Sequence, residues 1–313
     1  MDEMASYWTQ YWQGGAKSTL SDIDKSAYGI EVSNKWSESI KEFCQQGAVL
    51  DLACGNGDLA VQACNVLQAL DKHNDVYAND YSEIMLDKKV QGEFALKKVK
   101  WIPSTDAVNL PIESNCLSLA VSQFGFEYTN TNLVIQELSR VIYDNGHLCF
   151  LVHHDDSFIC KQSKKEFKMY QDMLNVTKIY DATKNLLLEL KITKETAITE
   201  KLRTTLNNKL GHLYDNYDDK SGLFELINLL KKLLANIESI SIDEIESSIS
   251  TLERQSMAHF KRLEHMISVS FSRETIEQLM LEFKKSNFMQ VKLEELTTSV
   301  GLLGWWIIVK KQS

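Results

Sequence analysis

"VLDLACGNGDLA", residues 49–60, decides how the rest of the chain is read. Val49 and Leu50 belong to an apolar run that reads as a strand leaving a sheet, with Asp51 as an acid inside it. Gly55 and Gly57 then let the backbone turn tightly and leave space where side chains would otherwise sit. Such a turn admits something close to the main chain, often a ligand. The spacing is not the three-glycine G-x-G-x-x-G of dinucleotide sites, because Ala53, Gly55 and Gly57 alternate and Leu59-Ala60 follow. No Gly-Lys-Ser/Thr follows either, which excludes a P-loop. What remains is a ligand with an adenosine part and no phosphates.

Working outward, residues 35 to 155 alternate strand-like and helix-like text. Strands read at 48–53, 75–80, 99–107, 116–126 and 147–154, with helices at 57–70, 81–98 and 129–146, the last ending at Asn145-Gly146. Strands separated by helices imply parallel pairing with right-handed crossovers. From 157 to 272 the text has no proline and almost nothing strand-like. Leu223, Leu226, Ile227, Leu230, Leu233, Leu234 and Ile237 share a helical face, and Ser241 with Glu244 has capping-box spacing ahead of a long amphipathic helix. A helix at 273–288 and strands at 289–296 and 302–311 resume the sheet. The predicted fold is α/β: a doubly wound, seven-stranded, mostly parallel sheet formed by 1–156 and 273–313, with an all-helical insertion at 157–272.

The 313 residues carry a formal net charge of −9, which argues against gripping a phosphate backbone, so no nucleic-acid partner is expected. Cys44, Cys54, Cys64, Cys116, Cys149 and Cys160 show neither metal-ligand nor disulfide spacing and read as reduced thiols. Without a signal-like apolar core or a span of about 20 apolar residues, no membrane is expected and a cytoplasmic location is.

Four segments in order resemble the class I S-adenosylmethionine-dependent methyltransferases. "VLDLACGNG" is similar to the family's first motif, with Ala53 in place of its first glycine. The resemblance implies that the backbone around Ala53, Gly55 and Gly57 approaches the amino acid end of the cofactor. "VYANDYSEIML" resembles the acidic end of the second strand, which implies Asp80 on the ribose hydroxyls and Tyr81 and Met85 on the adenine. "STDAVNLP" resembles the segment before the fourth strand, implying Asp106 on the adenine amino group and a backbone N–H from Ala107. "ELSRVIYDNG" is similar to the "E-x-x-R-V-L-x-P-G-G" run. Asp51 either ends a strand as an ordinary polar residue or orients the glycine turn or the cofactor's amino group. The aromatic stretch Tyr7, Trp8, Tyr11, Trp12, with Tyr28, either docks the N-terminus or caps the cofactor, Tyr11 or Trp12 facing inward. Gln123 is expected beside the cofactor through its backbone.

Methyl transfer from a sulfonium needs alignment and exclusion of water, and a base only where the acceptor keeps its proton until attack. Acceptor contacts are expected at the carboxyl ends of the fourth and fifth strands. Phe124 and Tyr128 are the binding candidates there, and Glu127, His153 and His154 the titratable ones. "HHDD" at 153–156 invites a metal reading, but the end of the fourth strand offers no second carboxylate where metal-dependent catechol methyltransferases use one, so no metal is expected. Ser122-Gln123-Phe124-Gly125 replaces the Asn/Asp-Pro-Pro-Tyr/Phe run of enzymes that methylate adenine or glutamine. The resemblance thus implies S-adenosyl-L-methionine as cofactor, S-adenosyl-L-homocysteine as product, and oxygen or nitrogen of a small molecule as acceptor. Two other readings stay open: a protein methyltransferase docking its substrate on the helical insertion, and a non-catalytic cofactor-binding scaffold. The insertion itself reads as a substrate lid, a homodimer interface, or both.

Overall fold

β1 (Ala48–Leu52) is buried along its whole length, and its side chains alternate between two cores. Val49 enters one with Trp36, Leu119 and Trp306, while Ala48, Leu50 and Leu52 enter the other with Leu117, Phe150 and Trp305. A parallel strand buried on both faces must be covered by helices on both sides. The computed structural model describes residues 3–14, 29–87 and 92–313. In chain order, α1 (Glu3–Gln13) and α2 (Gly29–Phe43) precede β1, and α3 (Asp58–Ala69), β2 (Val76–Asn79), α4 (Glu93–Lys98), β3 (Val99–Ile102) and β4 (Leu117–Gln123) follow it. α5 (Thr131–Val141), β5 (Ile142–His153) and α6 (Phe158–Gln171) come next, then α7 (Ile179–Thr193), α8 (Ala197–Asn216), α9 (Ser221–Ala235) and α10 (Ile242–Val269). α11 (Arg273–Lys285), β6 (Phe288–Thr298) and β7 (Gly301–Lys311) close the chain. The sheet has seven strands in the order β3-β2-β1-β4-β5-β7-β6. The first five are parallel, and β7 runs antiparallel between β5 and β6. α2 and α3 cover one face through Trp36, Ile40, Ala60 and Leu67; α5 and α11 cover the other through Ile135, Leu138, Ile276 and Phe283.

Two predicted helices are corrected. Where a helix is expected over 81–98, the described part is helical only at α4, and residues 82–87 are irregular. In this stretch Ser82 N–H donates to Asp80 Oδ1 (2.8 Å), Glu83 N–H to Thr9 Oγ1 (3.1 Å) and Met85 N–H to Asn56 Oδ1 (2.9 Å). In a helix starting at 81 the Ser82 and Glu83 amides would have no carbonyl partner in any case, but the Met85 amide would, and Asn56, distant in sequence, takes it. α5 ends at Val141, not at Gly146. Its last carbonyls accept from the Asn115 and Cys116 amides (2.9 and 2.8 Å), and the fully buried Ile142 already belongs to β5. Leu117 pairs with Ile142 and Leu119 with His147, so residues 143–146 form an irregularity within the strand.

The chain divides into two compact units, residues 1–161 with 265–313, and residues 162–264. The second is narrower than 157–272 because Ile159 and Met266 belong to a sheet core. The helical unit has its own core, in which Met173, Tyr180, Leu187, Leu213, Leu223 and Leu226 are almost wholly buried. Of the predicted stripe on α9, Leu234 is the correction, since it is exposed. The cap ahead of α10 closes in both directions: Glu244 N–H donates to Ser241 Oγ (3.2 Å), and Ser241 N–H donates to Glu244 Oε2 (2.7 Å). Among the described residues no helix is long and apolar enough to cross a membrane.

Candidate functional site

The glycine turn is held from below by acids. Asp51 Oδ2 accepts from Ala60 N–H (2.8 Å), tying the first turn of α3 to the end of β1. Asp80 Oδ2 accepts from Gly55 N–H (2.7 Å) and its Oδ1 from Ser82 N–H, so one carboxylate joins the loops after β1 and β2. Burial pushes both carboxyls above their ordinary value, with the bonded amides opposing it. Asn56, almost fully buried in the same turn, adds a third tie: its Nδ2 donates to Trp12 O (3.0 Å) and its Oδ1 receives Met85 N–H. α1 is thereby fastened to both loops.

Gly55 has φ +53°, and a Cβ there would meet the Trp12 ring at 2.5 Å; one on Gly57 would meet the Trp101 ring. The groups that approach these two glycines are therefore indoles. Ala53 also sits at φ +52°, a region that costs a non-glycine residue about 1–2 kcal/mol. Ala53→Gly is accordingly expected to raise unfolding stability by roughly 0.5–1 kcal/mol, after the extra chain entropy of glycine is deducted. Urea denaturation checks this, and equal or lower stability would show that the methyl's packing outweighs the strain.

Above the turn, at the carboxyl ends of β1, β2 and β4, lies a cavity of about 250 Å³. Two groups of residues line it. Asn79, Asp80, Tyr81, Ser82, Asp106 and Ala107 supply carboxylates, hydroxyls and amides; Trp8, Trp12, Phe124, Tyr128 and His265 supply rings. Asn79 Nδ2 braces the Asp106 loop by donating to Thr105 O (2.8 Å), and Asp106 Oδ1 accepts from Val108 N–H (3.1 Å). Among the described lining residues there is no lysine or arginine. A nucleoside with a positive rather than an anionic remainder suits this lining.

Trp12, Ala53, Asp80, Tyr81, Asp106 and Ala107, expected to hold a cofactor, line the cavity, as do Phe124 and Tyr128, expected for the acceptor. Asp51, Gly55 and Gly57 are absent from the lining and shape the turn. Tyr11 packs edge-on against Trp8 and Trp12 with ring centroids 6.1 and 5.0 Å away, also off the lining. Met85 is off it too, and Gln123 turns its side chain to accept from the Trp36 indole (2.6 Å). Tyr28 lies outside the described residues.

The three titratable candidates do not reach the cavity. Glu127 Oε1 accepts from the His153 backbone N–H (2.8 Å), and its Oε2 is buried without a partner. Burial pushes this carboxyl up to about 8 and the His153 imidazole down to about 3. His153 lies behind the wall, stacked on Phe124 at 4.3 Å with its Nδ1 unpartnered. His154 stacks on Trp305 at 4.6 Å, and its Nδ1 accepts from Asp156 N–H (2.9 Å). His265 on α10 is the lining imidazole that the sequence did not single out. Inside a long amphipathic helix it carries no local signal. Its Nδ1 faces the Trp8 indole N–H at 3.5 Å, the indole being the donor of the pair. No cluster of three or more metal-ligating side chains occurs among the described residues, and all six cysteines are free.

The family model for ubiE/COQ5 methyltransferases matches residues 22–182, about half of the chain. The chain belongs to the ubiE/COQ5 methyltransferase family. Two similar proteins in curated collections are 2-phytyl-1,4-naphtoquinone methyltransferases. The one from Trichormus variabilis is 26% identical over 126 residues, 39% of this chain and 51% of that protein. The one from Nostoc punctiforme is 28% identical over 131 residues, 41% and 54% respectively. The chain spans about half the length of these relatives. Among solved structures, a methyltransferase from Thermotoga maritima, named a possible histamine N-methyltransferase, aligns over 99% of this chain and 100% of its own at 12% identity and TM-score 0.45. One from Methanosarcina mazei aligns over 87% and 96% at 15% identity and TM-score 0.40. Membership in the ubiE/COQ5 family implies S-adenosylmethionine as cofactor.

Proposed function

We propose that this chain transfers a methyl group from S-adenosylmethionine to a small aromatic acceptor of the phenol or quinol class. The observation that carries the reading is the cavity's division between a nucleoside-suited group of polar residues and a group of rings, with no basic side chain among its described lining. The residues present fit the cofactor: Asp80 and Ser82 would hold the ribose, Tyr81, Asp106 and Ala107 the adenine, and Ala53 with Trp12 the amino acid end. Bound there, the cofactor supplies an electrophilic methyl on a sulfonium.

The chain's own part is alignment and dryness. Trp8, Trp12, Phe124 and Tyr128 exclude water from the transfer site. His265 adds an imidazole to the same wall. Burial also pushes the Tyr128 hydroxyl well above its ordinary value, so it serves as a neutral donor. A phenol or quinol suits such a wall, because its ring packs against the aromatic side chains and its oxygen accepts from a neutral hydroxyl donor. The naphthoquinone in the relatives' names points to the same class.

Incubation with methyl-labelled S-adenosylmethionine and a panel of phenols and reduced 1,4-naphthoquinones tests this. Label is expected to enter at least one member of the panel, and to remain in the cofactor when Asp80→Ala protein is used. Transfer to amines but to no member of the panel would refute the acceptor class.

A further inference from the structure

Leucine or valine would keep water out of the transfer site as well as rings do, yet four aromatic side chains from two separate segments meet there. Trp8 and Trp12 come from α1 and stack at 6.3 Å; Phe124 and Tyr128 follow β4, and Tyr128 meets Trp8 edge-on at 5.2 Å. The charged side chains on the same described lining are Asp80 and Asp106, both acids, with His265 the one imidazole. An aromatic face carries negative potential and attracts a cation placed over it, more strongly where water is excluded.

We infer that Trp8, Trp12, Phe124 and Tyr128 form a cation seat that receives the sulfonium of S-adenosylmethionine, with His153 as a positioning residue behind Phe124; this rests on the reading of the cavity as the cofactor site. Three details of the wall support the seat. Phe124 is held at φ +52°, an uncommon conformation for a bulky residue, and its N–H is fixed on Leu151 O (2.7 Å). Gly125 follows it because a Cβ there would lie 2.7 Å from both Ala53 Cβ and Ala53 O, so the aromatic wall and the cofactor turn pack as one surface. Behind Phe124, the His153 ring is parallel within 16°, and burial keeps it uncharged. An imidazolium in that place would draw on the same π density from the far side, whereas a neutral ring leaves it for the cavity.

S-Adenosylhomocysteine provides the control, because it lacks the charge and one methyl but is otherwise the same molecule. Affinities of both ligands are measured by calorimetry for wild type, Trp8→Leu and Phe124→Leu. The seat predicts that each variant weakens S-adenosylmethionine about fivefold more than S-adenosylhomocysteine. A second preparation, in which 5-fluorotryptophan replaces tryptophan throughout, keeps the shape and thins the π density. There S-adenosylmethionine is expected to weaken about twofold relative to S-adenosylhomocysteine. Parallel weakening of both ligands, with the ratio unchanged in the variants and in the fluorinated protein, overturns the seat. If a leucine variant fails to fold, the fluorinated protein decides. Wild-type protein that binds neither ligand removes the cofactor reading and the seat with it, an outcome plainly different from an unchanged ratio.

Discussion

Asp80→Ala is expected to weaken binding of S-adenosylhomocysteine at least tenfold, about 1.4 kcal/mol. Two effects act in the same direction. The carboxylate lines the cavity, where charge-assisted hydrogen bonds to ribose hydroxyls are stronger than neutral ones. It also receives the Gly55 and Ser82 amides, and removing it leaves two buried donors unsatisfied at the neck between the loops after β1 and β2. Calorimetry reads the affinity, and Asp80→Asn separates the two effects. The amide keeps one acceptor for a loop N–H but loses the charge, so an intermediate loss is expected. Unchanged affinity in Asp80→Ala would show that the nucleoside does not use this carboxylate.

A large pH effect is expected at Glu127. Its carboxyl is pushed from 4.5 to about 8 by burial, so between those values the folded chain holds a proton that the unfolded chain releases. Where the folded state binds more protons, unfolding stability falls as pH rises. Wild-type protein should therefore lose up to about 4 kcal/mol from this residue between pH 4.5 and pH 8. Glu127→Gln keeps an acceptor for the His153 amide and carries no proton to lose. The difference in stability, variant minus wild type, should rise with pH across that window and level off above it. Denaturant titrations at pH 5, 6.5 and 8 measure it, and parallel stability curves would contradict the protonated buried acid. The same experiment bears on chemistry, since a neutral Glu127 behind Phe124 positions the wall and does not abstract a proton.

What the sequence disclosed, it disclosed through local pattern. The apolar run through Val49 and Leu50 marks a strand, and the paired spacing of Ser241 and Glu244 marks a helix start; the structure has both. Seven strands could be counted because each is bounded by its own turn chemistry. The helix expected over 81–98 illustrates the limit. Its text is helical, but Asn56, far away in the chain, takes the Met85 amide that a helix would have bonded. The end of α5 failed for a similar reason, since Asn115 and Cys116 cap its carbonyls from another loop. In the site, Asp80 and Asp106 could be named from the run of motifs and Phe124 from its place after the fourth strand, while Trp12 stood only as one of two readings of the aromatic N-terminal stretch. His265 could not be named, because only the packing of α10 beside Trp8 and Tyr128 gives that imidazole a place on the cavity wall. Glu127 and His153 were legible as titratable groups at strand ends, but their burial behind Phe124 is a property of the assembled wall.

Each role proposed for the site depends on the cavity over the glycine turn holding the cofactor. A crystal structure of the protein with S-adenosylhomocysteine tests it most directly. The nucleoside is expected against Asp80, Ser82, Asp106 and Ala107, with the thioether sulfur facing Trp8, Trp12, Phe124 and Tyr128. Density for the ligand anywhere else, or a nucleoside seated against the rings with its sulfur toward Asp106, would contradict it.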